Sequence, residues 1–130
     1  MKNWTITLGI AVVLAVAGCG GEERGPLLAG GREVKSWVAD LRDPKPTVRR
    51  TAVFKLGNVG DADPTVAAAL LQALSDKDPL VRCDAVLAVV KLKEPTDEAF
   101  DRLRAMNRED RDSRARELAS KALAKFGRTD

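Results

Sequence analysis

Apolar residues recur along this chain at three- and four-residue spacing, the period of a helix with one buried face, in segments separated by short polar turns. Val34, Trp37, Val38 and Leu41 share a face of a first helix expected over 33–41, and Val48, Ala52, Leu56 and Val59 do so over 47–59. The same reading places helices at 64–75 and 79–92, with Leu70, Leu71 and Leu74 as core. Two more are expected at 95–106, burying Phe100, Leu103 and Met106, and at 112–126, burying Ala115, Ala119, Leu123 and Phe126. Pro79 suits a first helical turn, whose N–H donors are unpaired anyway. Asp78 and Asp112 are suited to N-capping the helices that follow them. No stretch alternates in the manner of a strand, and no sheet is expected.

The helices come in pairs, and the pairs repeat. Asp43, Pro46, Val48, Arg49, Ala52 and Leu56 return 33 positions on as Asp76, Pro79, Val81, Arg82, Ala85 and Val89. A looser copy holds Asp110, Ala115, Arg116, Ala119 and Leu123, after a longer turn. Helix, turn, helix at this period predicts an all-α solenoid over 33–130, with units near 33–60, 61–93 and 94–127. No such unit buries its apolar face alone, so neighbours must stack.

The repeated phrase resembles the HEAT-like repeat of the phycobilisome-lyase type. The shared features are an Asp-x5-Arg pair (Asp43 with Arg49), the Val48-Arg49 opening of the second helix, the run from Ala52 to Leu56-Gly57, and Gly60-Asp61 leading onward. The resemblance covers roughly 33–127. It implies a short right-handed superhelix of about three hairpins. It also implies a structural ladder of Asp43, Arg49, Asp76, Arg82, Asp110 and Arg116, each Arg bonding an Asp of its own or an adjacent unit through charge-assisted contacts. The architecture serves many unrelated partners. Nothing beyond the repeat is shared with bilin-handling relatives, so a lyase activity does not carry over with it.

The N-terminus adds an address. One cation at Lys2, an apolar run from Ile6 to Ala17 and small residues before Cys19 make residues 1–18 an export signal. Its apolar run falls short of the ~20 residues a spanning helix needs. Val16-Ala17-Gly18-Cys19 resembles the lipobox of bacterial lipoproteins, which implies a lipid-modified Cys19 at the mature N-terminus. The alternative is ordinary cleavage after Ala15-Val16-Ala17. Residues 19–32, rich in glycine and polar groups, read as a flexible tether, with Leu27-Leu28 making a loose contact with the first helix. The expected location is the cell envelope, on the inner or outer membrane and facing the periplasm or exterior.

Composition narrows the chemistry. Lys and Arg total 22 against 19 Asp and Glu; removing Lys2 with the signal leaves 21 against 19, too small an excess to argue for nucleic acid. There is no His and no Tyr, so the usual proton shuttle near neutral pH is missing, as is the commonest zinc nitrogen ligand. With Cys19 acylated, Cys83 is the remaining thiol, either a reactive group beside Arg82 or a small packed hydrophobe. Gly57 and Gly60 read as C-terminal caps rather than a phosphate loop. No catalytic residue, metal or cofactor is expected.

A solenoid offers the groove lined by its second helices. On a helical wheel Arg50, Phe54 and Asn58 lie away from the core, as do Cys83, Leu87 and Lys91, then Glu117, Lys121 and Lys125. Phe54 and Leu87 either form an apolar spot flanked by cations or pack between adjacent second helices. The candidate partner-binding set is Arg50, Phe54, Asn58, Leu87, Lys91 and Lys121, for another protein or peptide. Trp37 is a stacking platform or, as the counterpart of Leu70, core filler. The C-terminal repeat is rich in arginine, from Arg102 to Arg128. It reads either as a site for an anionic polymer or surface, or as a solvated helix face with i,i+4 pairs such as Asp112 with Arg116 and Glu117 with Lys121. The expected function is an anchored protein-interaction scaffold; an envelope structural protein that holds a polymer is the alternative, and a chromophore-lyase-like enzyme the third reading.

Overall fold

The computed structural model describes residues 27–129. Among them six α-helices follow as three pairs: α1 (Val34–Asp40) with α2 (Pro46–Val59), α3 (Pro64–Ala73) with α4 (Pro79–Val89), and α5 (Asp97–Glu109) with α6 (Ser113–Lys125). Each second helix packs broadly on the next, α2 on α4 and α4 on α6, whereas α1, α3 and α5 touch one another sparingly. The row therefore closes up on the second-helix side and fans out on the other. Each pair leans on its neighbour in series, as the repeat requires.

Local chemistry sets the helix ends. A proline occupies the first turn of α2, α3 and α4. Asp78 accepts the backbone N–H groups of Leu80 and Val81 at 2.8 and 3.2 Å, and Asp112 accepts those of Arg114 and Ala115 at 3.0 Å. Asp63 caps α3 in the same way, through the N–H of Thr65 at 2.8 Å. The helix expected from residue 95 begins at Asp97, because the Thr96 hydroxyl accepts the N–H of Ala99 at 3.2 Å and fixes the N-cap there. It continues to Glu109 rather than stopping at 106, so part of the longer turn is helical.

One continuous core runs through the three pairs. Leu56, Leu70, Leu74 and Leu103 are fully enclosed, while Leu71, expected beside them, is half-buried. On α2 the buried stripe centres on Ala52, Val53 and Leu56, with Val48 and Val59 at its margins. The shift has a reason: α2 must meet α4 as well as α1 and α3. Gly57 is a point of close approach in that meeting. A Cβ there would stand 2.8 Å from the Cβ of Ala88 and 3.2 Å from its Cα. Gly57 is thus an interior helix residue that lets two helices approach, not a cap. The cap is Gly60, at φ 56.

The fold is all-α as expected, but the expectation of no sheet fails at one place. Leu28–Ala29 (β1) pairs antiparallel with Arg32–Glu33 (β2). Gly30 and Gly31 turn between them at φ 59 and φ 80, the signs a tight two-residue hairpin demands. Strands of two residues carry no readable alternation. This hairpin takes up the end of the expected tether. Ala29 is buried, and its carbonyl accepts the Trp37 Nε1–H at 2.8 Å. Trp37 is core, with the Arg32 guanidinium 4.1 Å above its ring and paired to Asp40 at 2.8 Å. The expected export signal, Cys19 and residues 20–26 of the expected tether lie outside the described residues. Among the described ones, no helix is long and apolar enough to cross a membrane.

Candidate interaction surface

The repeated Asp and Arg residues form the ladder, and its direction is now defined. Arg49, 4% exposed, leaves α2 and meets Asp76 of the next unit with two parallel bonds, Nε to Oδ2 at 2.8 Å and Nη2 to Oδ1 at 3.0 Å. Arg82 meets Asp110 identically, at 2.8 and 2.6 Å. The third guanidinium nitrogen turns back to the chain's own unit, donating from Arg49 to the carbonyl of Asp43 and from Arg82 to that of Asp76, each at 2.8 Å. Arg116 keeps this backbone contact, to the Asp110 carbonyl at 2.6 Å, and ends the row. Each Asp also shapes its own turn: Asp43, Asp76 and Asp110 accept the N–H two residues on. The carboxylates of Asp76 and Asp110 thus bind the preceding unit, and the carbonyls of Asp43, Asp76 and Asp110 bind the Arg of their own. Hydrogen bonding to Arg82 holds the Asp110 carboxyl below the usual carboxylate range against the opposing effect of burial. Bidentate pairs of this kind fix geometry, which suits a stacking role rather than chemistry.

On the other side of the second helices, Phe54 is 56% exposed and Leu87 49% exposed. They do not disappear between repeats. Both line a cleft of about 370 Å³ between α2 and α4, with Lys91 at its edge. Arg50 crosses the same seam to Asp84 at 2.6 Å, and Lys91 Nζ donates to Asn58 Oδ1 at 2.8 Å. Five of the six sequence candidates therefore converge: Arg50, Phe54, Asn58, Leu87 and Lys91. The sixth, Lys121, is tied to Glu117 on α6 at 2.6 Å. Its neighbour one turn on, Lys125, donates instead to the carbonyl of Val90, which lines the cleft, at 2.8 Å.

Sequence reasoning missed Lys55 and did not place Leu27 and Leu28 beside this face. Lys55 stands with its Nζ 6.0 Å from the Phe54 ring centre, and Lys91 Nζ is 5.1 Å from it. Leu27 and Leu28 are exposed and line a cleft of about 300 Å³ with Lys55 and Asn58 of α2, while the Leu27 carbonyl accepts the N–H of Val34 at the start of α1 at 3.1 Å. A third depression, about 600 Å³ beside Asn58 and Lys91, joins the other two. The exposed large hydrophobic side chains of the described residues are Leu27, Leu28, Phe54 and Leu87, and all four line this connected row.

Three arginines of the C-terminal repeat have local carboxylate partners. Arg104 pairs with Asp101, Arg114 with Asp112 and Arg128 with Asp97, at 3.1, 3.7 and 3.9 Å. Arg128 also covers Phe100 at 4.8 Å, and Phe100 meets Phe126 edge to face at 5.4 Å. Of the two expected i,i+4 pairs, Glu117 with Lys121 forms. Asp112 caps α6 and Arg116 serves the ladder, so the pair expected between them gives way. Cys83, wheel counterpart of Arg50, is 7% exposed, and burial pushes its thiol pKa up, away from the reactive thiolate.

Stacked helical hairpins bolted by an inter-unit ladder define an α-solenoid, a class whose long faces commonly hold other proteins. The family model described as HEAT repeats matches residues 34–124, from the first residue of α1 into α6, and the chain belongs to that family. HEAT repeats are generally non-enzymatic interaction scaffolds. No curated protein matches the chain.

Proposed function

We propose that this chain is a lipid-anchored envelope protein whose HEAT repeats hold a protein partner on the second-helix face. One observation carries the reading: the exposed large hydrophobics of the described residues sit together along a single row of clefts. Contiguous apolar surface rimmed by polar groups marks an interaction site. The likeness of the Asp-x5-Arg phrase to the phycobilisome-lyase type of repeat is a finer reading, supported by the ladder. It bears on how units stack and brings no catalytic group. A role in holding an anionic polymer is less well supported, because Arg104, Arg114 and Arg128 of the last repeat are engaged with local carboxylates and, for Arg128, a ring.

Two experiments test the two halves of this proposal. Replacing Phe54 and Leu87 together with serine should leave the melting temperature nearly unchanged, since exposed substitutions typically fall within about 0.5 kcal/mol. Affinity capture from detergent-solubilised envelope, read by mass spectrometry, should then lose the partner that the unaltered protein retains. Equal recovery from both proteins would contradict the surface. For the anchor, Cys19→Ser should move the protein from the membrane fraction to the soluble fraction, since acyl chains supply the attachment; unchanged sedimentation with membranes would contradict it.

A further inference from the structure

The row of clefts has a sign as well as an apolar floor. Of the carboxylates beside it, Asp84 is held by Arg50 and Glu117 by Lys121, while Asp61 accepts the backbone N–H of Lys93. The lysines are bound only to neutral groups: Lys91 to the Asn58 amide oxygen and Lys125 to the Val90 carbonyl. Lys55 and Lys91 flank the Phe54 ring. Among the described residues no ion pair engages Lys55, Lys91 or Lys125.

We infer that the occupant of this row is an acidic segment of a partner protein, with an aliphatic or aromatic anchor seated between Phe54 and Leu87 and carboxylates meeting Lys55, Lys91 and Lys125. The inference rests on the surface proposed above and specifies its ligand. The anchor supplies affinity by filling the cleft between α2 and α4, where a buried apolar side chain contributes most. The lysines supply selection and capture rate, because like charges brought against them are repelled. Spacing agrees with an extended segment. Packed helices stand about 8–10 Å apart and an extended chain advances about 3.3 Å per residue, so roughly six residues run from α2 to α6. A bilayer fits less well, since the row closes up on this side and its apolar floor lies in clefts rather than on a projecting face.

The test uses the whole protein in detergent and three labelled synthetic peptides, followed by fluorescence anisotropy. One peptide sets leucine and phenylalanine among aspartate and glutamate, one sets the same anchors among lysine and arginine, and one keeps the acids with serine for each anchor. The first should bind, and the other two should bind at least about tenfold more weakly. Lys91→Glu with Lys125→Glu, both on exposed side chains, should reverse the order of the acidic and basic peptides while leaving the melting temperature in place. Binding of the basic peptide as tightly as the acidic one, no effect of the charge reversal, or no peptide binding at all would overturn the inference. So would binding to vesicles of anionic phosphatidylglycerol that the reversal removes, in the absence of peptide binding. A cellular partner lost on Phe54 and Leu87 substitution but kept on charge reversal would leave the surface standing and reject the acidic occupant alone.

Discussion

Leu70→Ala is expected to lower the free energy of unfolding by about 2–5 kcal/mol, measured by urea denaturation. Leu70 lies on α3 in the middle pair and has no exposed surface. The helices around it are fixed by the pairs on both sides, so the site cannot collapse to fill the void. Domains of this size are stable by only about 5–15 kcal/mol in total, and the variant should sit near the edge of folding. The half-buried Leu71 next to it is the control. Its alanine variant should lose distinctly less, and equal losses at the two positions would mean that α3 does not present Leu70 to a shared interior.

The second large effect concerns the ladder. Asp110→Ala should cost about 1.5–3 kcal/mol, the range for hydrogen bonds to a charged group. The Asp110 side chain is 5% exposed and that of Arg82 16%, so water replaces little of what is lost. The substitution removes both bonds to Arg82 and the one from the Asp112 N–H that shapes the turn into α6. Loosening should therefore appear first in α5 and α6, as faster native-state hydrogen exchange there than in α2. Acid should expose the same group. Because Arg82 depresses the folded-state pKa of Asp110, its contribution is complete above the ordinary aspartate value of about 3.9. It is lost as pH falls through the depressed value. Asp110→Asn should flatten the stability profile below about pH 4; an unchanged acid limb would show that Asp110 is not part of it.

The fold was legible because its helices announce themselves locally: period, proline starts and aspartate caps all lie within a few residues of what they govern. The ladder residues were legible as pairs, yet their direction was not, since only the stacking of units decides whether Arg49 finds Asp43 or Asp76. Gly57 was misread for the same reason. Its neighbour Ala88 lies on a helix of the next unit, and nothing near residue 57 in the chain signals that approach. The wheel placed Phe54 and Leu87 on the outer side, where both are exposed, and put Lys121 and Lys125 there alike; it carried no information on how α6 sits against α4, so the candidate set named Lys121 and omitted Lys125. Lys55 escaped notice, and Leu28 was not placed beside it, because they share a cleft next to the Gly30-Gly31 hairpin, whose strands are too short to show a pattern.

The most direct test of a binding face on the second helices is site-specific photo-crosslinking in cells that produce the protein, with benzoylphenylalanine placed at position 54 or, on the opposite side of the same stack, at the exposed Gln72 of α3. A discrete crosslinked product from position 54 and none from position 72 is the predicted result. A product from position 72 with none from position 54 would place the partner on the first helices and contradict the account.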